Sequence, residues 1–220
     1  VLPVVRADDT RSLVGLVRAL DTQPPLSHFV LYVLRDVLPP GEAGWRLPNF
    51  VALQAGLLFL FLLARRVWDA RAAFAAVAFA EISPYLSFYA AEARNYGLWF
   101  LAVCASWWLL VRWACGRTRR PAIAVAAWGL VNGLGLLIHL FHVFTLVAQW
   151  TVVAVVARAT PSGAPRRRFL AAAAAGTIGA IVLLAPWAAI IATPAAANAP
   201  GVNWTRPPTP ATLAALPYTL

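Results

Sequence analysis

The feature that most restricts how this chain can fold is a succession of long apolar runs that begins at Leu47. They cover about Pro48 to Ala64, Ala72 to Tyr89, Tyr96 to Trp113, Pro121 to Ile138, Phe141 to Ala157 and Phe169 to Thr193. A hydrocarbon core about 30 Å thick is crossed by roughly 20 residues of helix, and each run is near that length. Backbone polar groups in lipid must be satisfied within the protein, which a helix does inside a single segment. Six spanning helices are therefore predicted. A chain that is 61% hydrophobic and 12% charged has more apolar surface than one water-soluble core requires. Its ten Trp and five Tyr suit a chain that meets the membrane–water interface several times.

The formal charge of +10 reads as a topology signal rather than a nucleic-acid footprint, because of where the charges lie. All 18 basic residues are Arg, and most of them fall in short clusters at alternate connections. Arg65, Arg66 and Arg71 lie between the first two runs, Arg112, Arg117, Arg119 and Arg120 between the third and fourth, and Arg158, Arg166, Arg167 and Arg168 between the last two. An excess of basic residues marks the cytoplasmic side. Glu92 and Arg94, His139 and His142, the tail from Thr193 and everything before Leu47 then face outward. Asp8, Asp9, Asp21, Asp36, Glu42 and Glu92 share that side, whereas Asp69 falls inside. Chemistry that needs carboxylates belongs on the outer face.

Two short helices are expected ahead of the runs. Leu13, Leu16, Val17 and Leu20 recur at helical spacing from Thr10 to Leu20, with Asp8, Asp9 and Thr10 as N-terminal caps. Pro24-Pro25 opens a second helix that ends near Leu38, before Pro39-Pro40-Gly41. At 1.5 Å per residue it is roughly 20 Å long, too short to cross, so it lies in the interface. The fold class is thus all-α: a polytopic transmembrane bundle with outward-facing amphipathic juxtamembrane helices. Residues 1–47 form an outer segment, 48–193 the six-helix bundle, and 194–220 an outer Pro-rich stretch. With no Met and an abrupt start on Val1-Leu2-Pro3, we expect a fragment of a longer protein with at least one spanning helix ahead of it. Cys104 and Cys115 form no disulfide framework and read as packing residues.

Between the second and third runs, Ser83-Pro84-Tyr85-Leu86-Ser87-Phe88-Tyr89-Ala90-Ala91-Glu92-Ala93-Arg94-Asn95-Tyr96 gathers a carboxylate, a guanidinium, an amide and phenols. Charges beside hydrocarbon are costly and usually line a site. Glu92 and Arg94 are the first candidates for chemistry. A simple ion pair at a helix end in the headgroup zone is the plainer alternative.

Here the sequence resembles a family. Asp21-Thr22-Gln23-Pro24-Pro25-Leu26 is similar to a D-x-H-P-P-L stretch, and Arg46-Leu47-Pro48 to the R-L-P that opens the next span. Leu63-Ala64-Arg65-Arg66 is similar to that span's end. Ser83-Pro84 through Glu92-Ala93-Arg94-Asn95-Tyr96 resembles S-P-x-x-x-x-Y-x-x-E-A-R-x-Y, and Leu136-Leu137-Ile138-His139-Leu140-Phe141 resembles L-Y-T-H-Y-F. These motifs belong to the GT-C glycosyltransferases similar to dolichyl-phosphate-mannose protein mannosyltransferases and bacterial lipid A aminoarabinose transferases. The resemblance covers roughly residues 10 to 150. It implies a multi-pass protein of the bacterial inner membrane that moves a sugar, with inversion, from a polyprenyl-phosphate donor to a glycan, lipid or protein acceptor on the outer face.

Carried onto this chain, the resemblance implies catalytic roles for Glu92 and Asp21. It places the main acid at Asp8 or Asp9, or ahead of Val1. Arg94, His139 and Tyr96 would bind the donor phosphate, and a divalent metal would fall to His139 and His142. Gln23 departs from the family's His or Lys. Inverting displacement of a phosphate needs a base for the acceptor hydroxyl and a cation for the leaving group, and the planar fork of an arginine suits the second task.

His28 is expected on the surface. Glu81, inside the second run, either faces a cavity or is protonated within the bundle. Asn203-Trp204-Thr205 matches a glycosylation acceptor but reads as chance. Two other classes stay open: a transporter or flippase for a lipid-linked sugar or anion, and a non-catalytic scaffold of the same fold.

Overall fold

The computed structural model describes residues 2–20, 24–92, 94–114 and 119–191. Asp21, Gln23, Ala93, Cys115, Arg117, the stretch 194–220 and the Asn203-Trp204-Thr205 motif lie outside the described residues. Among those described, every regular element is a helix: α1 (Leu2–Arg6), α2 (Thr10–Leu20), α3 (Leu26–Leu34), α4 (Glu42–Val67), α5 (Ala70–Glu81), α6 (Pro84–Ala90), α7 (Tyr96–Ala114), α8 (Pro121–Ile138), α9 (His142–Ala159) and α10 (Ala164–Ile191).

Five of these are long and apolar enough to cross a membrane: α4, α7, α8, α9 and α10. The second predicted run is not one straight span. It breaks at Ile82-Ser83 into α5 and α6, which meet at 66°. The cause is local. Pro84 has no N–H and disfavours helical backbone at Ser83, which is extended there and starts α6 instead. The break costs no stranded amide, because Ile82 N–H donates to the Ala78 carbonyl and Ser83 N–H to that of Ala80. α4 also starts earlier than the apolar run suggests, at Glu42, with Pro48 in its second turn.

The spans form a row in the order α5, α4, α7, α8, α10, and α9 leans against α7, α8 and α10. Close approach depends on absent side chains. A Cβ on Gly129 would lie 2.6 Å from the carbonyl oxygen of Gly176, so α8 and α10 meet backbone to backbone there. Toward the arginine-rich end, Leu110, Trp113, Val125, Trp128, Leu146 and Ala173 form one core cluster, with the Trp113 ring stacked 4.7 Å from Phe169.

The three short helices sit at the opposite end. Val4, Leu13 and Val17 are fully buried against Trp187, with Leu137 and Leu184 beside them, so α1 and α2 dock on the ends of α8 and α10. α2 spans the residues its periodicity predicts, and Asp9 caps it by accepting the Ser12 N–H at 2.7 Å. That bond lowers the carboxyl pKa of Asp9 below its ordinary range. α3 is shorter than predicted. Its His28 is buried, only 6% exposed, which corrects the surface expectation: the helix packs inward against α1 and α8.

Candidate functional site

The site is built where α4, α6, α7 and the α8–α9 turn come together at the end that carries Glu92. Its hub is a residue the sequence did not single out. Asn49, 4% exposed in the second turn of α4, donates its amide to the carbonyls of Tyr89 at 2.8 Å and Glu92 at 3.1 Å. Its Oδ1 accepts the Gly97 N–H at 2.6 Å. One side chain thus holds the end of α6, the turn after it and the start of α7. A polar amide at the head of an apolar run is itself a signal, since such groups are kept in membranes only where they find partners.

A second amide extends the frame. Asn95 Nδ2 donates to the Ile138 carbonyl at 2.6 Å, tying the start of α7 to the end of α8. The next residue, His139, is 5% exposed. Its Nδ1 accepts the Phe141 N–H at 3.2 Å, and its ring stacks on Trp99 at 4.7 Å. Burial pushes the His139 imidazole below its ordinary pKa, so it is neutral at pH 7.

Aromatic rings form a continuous row across this end. Tyr85 meets Tyr89 at 4.6 Å, Tyr89 meets Tyr96 at 4.1 Å, and Tyr96 meets His139 at 5.8 Å. Tyr89 also lies within electrostatic reach of Glu92. Arg94 Nε stands 3.7 Å from Glu92 Oε2, and the guanidinium side chain is 67% exposed against 30% for the carboxylate. The pair is therefore open on the side of the arginine.

The other sequence candidates are placed as follows. Asp8 and Asp9 are exposed at the α1–α2 turn, and the Asp9 carboxylate is engaged in capping α2. Asp21 lies outside the described residues. Tyr96 and His139 are brought together, whereas His142 is not part of the row. It is fully buried inside the bundle, with Nε2 3.0 Å from Asn132 Oδ1. His139 Nδ1 and His142 Nε2 face different partners, and no group of three or more His, Cys, Asp or Glu converges among the described residues. Glu81 is exposed and lines a groove of about 300 Å³ with Phe50, Leu53, Gln54, Leu86 and Ser87, so of its two expected settings it occupies the cavity.

No family model, curated protein or solved structure matches the chain. The fold is that of a multi-pass membrane protein, and its activity has to be argued from the residues.

Proposed function

We propose that this chain is the membrane part of a glycosyltransferase that takes a sugar from a polyprenyl-phosphate donor and transfers it, with inversion, to an acceptor on the outer face of a bacterial inner membrane. The observation that carries it is the Arg94–Glu92 pair, two-thirds exposed at Arg94, beside the Tyr89–Tyr96–His139 row. Arg94 takes the donor phosphate through its N–H edge and neutralises the charge that grows on the leaving oxygen. Glu92 holds the guanidinium in place. The aromatic faces suit the C–H surface of a sugar, because an aromatic quadrupole attracts weakly positive hydrogens. An acid of the first segment, Asp8, Asp9 or Asp21, takes the acceptor's hydroxyl proton as the new glycosidic bond forms and the bond to phosphate breaks.

Support comes also from the groove beside α4, α5 and α6, a largely apolar notch that carries Glu81, Gln54 and Ser87 and suits a lipid-borne donor approaching from the bilayer. The test is transfer of radiolabelled sugar from polyprenyl-phosphate donors by the purified protein. Arg94→Ala is expected to lower turnover at least a hundredfold with the fold intact, and Arg94→Lys to recover only part, because a point charge replaces a fork. Unchanged turnover in Arg94→Ala and Glu92→Gln removes both residues from the mechanism.

One observation favours a second reading. Broken helices also serve transport, and the α5–α6 break lies beside Glu81. Movement of an intact lipid-linked sugar across proteoliposomes, without cleavage of the donor, would decide for a transporter.

A further inference from the structure

The groove beside α4, α5 and α6 holds a carboxylate that no basic side chain answers. Glu81 lines it together with Gln54, Ser87, Phe50, Leu53 and Leu86. The Glu81 side chain makes no ion pair or hydrogen bond among the described residues, and no arginine lines the groove. The carboxylate also stands in apolar company. Phe79 is 73% and Ile82 72% exposed on either side of it in the chain, and Phe50 of the groove wall is 47% exposed. A charge beside hydrocarbon is kept where it finds a partner. Phe50, Leu53 and Gln54 follow Asn49 by one to five residues in α4, about 2 to 8 Å along the axis, and Asn49 holds the turn at Glu92. The groove therefore lies within about two helical turns of the Glu92 end.

We infer that this groove holds the headgroup of a phospholipid that carries a primary ammonium, of the phosphatidylethanolamine class. A primary ammonium has three N–H donors. The groove offers them the Glu81 carboxylate, the Gln54 amide oxygen and the lone pairs of the Ser87 hydroxyl, whose own proton goes to the Glu81 carbonyl at 3.4 Å. The Gln54 amide N–H groups remain for a phosphate oxygen, and Phe50, Leu53 and Leu86 cover the first acyl carbons. A volume of about 300 Å³ is at the lower end of small-molecule sites, which suits a headgroup rather than a whole lipid. A divalent cation takes more ligands than one carboxylate, and no group of three or more His, Cys, Asp or Glu converges among the described residues. A soluble amine would leave the apolar walls wet, and a quaternary ammonium has no N–H to donate. A polyprenyl phosphate, an anion without an amine, fits the walls but not the carboxylate, so it passes through the groove without being held. The assignment is independent of the transferase proposal.

The experiment is native mass spectrometry of the purified full chain, released from bilayers of phosphatidylethanolamine, phosphatidylcholine and phosphatidylglycerol in equal parts. One phosphatidylethanolamine is expected to stay bound per chain, in excess of the other two. Glu81→Gln keeps the shape and removes the charge, and is expected to weaken retention on the order of tenfold, as for loss of a hydrogen bond to a charged group. Gln54→Leu keeps the apolar contact and loses an acceptor, with a loss of roughly threefold. Glu42→Gln, at the head of α4 and paired with Arg46, is the control and leaves retention unchanged. Equal retention of phosphatidylcholine or phosphatidylglycerol, undiminished retention in Glu81→Gln, or release of the lipid by free ethanolamine would overturn the assignment.

Discussion

His142 Nε2 lies 3.0 Å from Asn132 Oδ1 at a point where both side chains are fully buried. Asn132 donates its own Nδ2 to the Trp128 carbonyl at 2.8 Å, so its Oδ1 is the acceptor and His142 carries the proton on Nε2. Gly135 makes room for this ring: a Cβ there would come within 2.6 Å of His142 ring carbons. Removing one partner leaves a buried polar group bare. Asn132→Leu or His142→Phe alone is expected to cost about 1–3 kcal/mol, and the double variant less than the sum. A double-mutant cycle of unfolding in detergent measures the coupling, which averages about 0.6 kcal/mol for such bonds in membranes. A coupling of zero would mean that the two side chains do not recognise each other.

The same interior holds a second junction at Gln149. Its Oε1 accepts the Trp128 indole N–H at 2.8 Å, and its Nε2 donates to Ser106 Oγ at 2.8 Å, joining α8, α9 and α7 through one fully buried amide. α9 packs less extensively than its neighbours, so these bonds hold it. Gln149→Leu is expected to destabilise the protein by about 1–3 kcal/mol and to expose α9 to limited proteolysis. Protection equal to wild type would show that packing alone seats the helix.

Glycine gives a paired test. At Gly97 a Cβ would sit 2.1 Å from the Asn49 carbonyl oxygen and 2.7 Å from Oδ1, whereas at Gly15 it would meet nothing within 4 Å. Gly97→Ala is expected to cost about 1–3 kcal/mol by forcing α7 off α4, and to reduce any activity of the Glu92 site with it. Gly15→Ala in exposed helix is expected to stabilise by about 0.5–1 kcal/mol. Thermal melts of the two variants should move in opposite directions.

His139 links the site to pH. Burial lowers its pKa below the ordinary value of 6.5, so the unfolded chain binds a proton that the folded chain resists. Its contribution to stability is complete above about pH 6.5 and declines as pH falls from there toward the lower folded value. In His139→Gln the unfolding free energy should depend less on pH across that window. Identical slopes in the two proteins would place the dependence elsewhere.

Much of the architecture was legible because its cause is local. The periodicity of Leu13, Leu16 and Val17 defines α2, and the lengths of the apolar runs define α4 and α7 to α10. The bend in the second run was not legible because hydropathy is blind to a backbone break, although Ser83-Pro84 announced one. His28 read as surface because its burial depends on α3 packing against α8, a contact far apart in sequence. Glu92, Arg94, Tyr96 and His139 were recognisable as polar interruptions at run ends. Asn49 was not, since its value lies in reaching three backbone groups from 40 to 48 residues away.

The row of spans has a consequence for how the protein is made. α4 packs chiefly on α7, across the intervening α5 and α6, so helices leave the ribosome in a different order from that in which they pair. The Asn49 amide finds the Tyr89 and Glu92 carbonyls once α6 and the turn after it have emerged, and its Oδ1 finds the Gly97 N–H only with α7. The Asn49 frame is therefore completed only by the helix that follows the turn it holds.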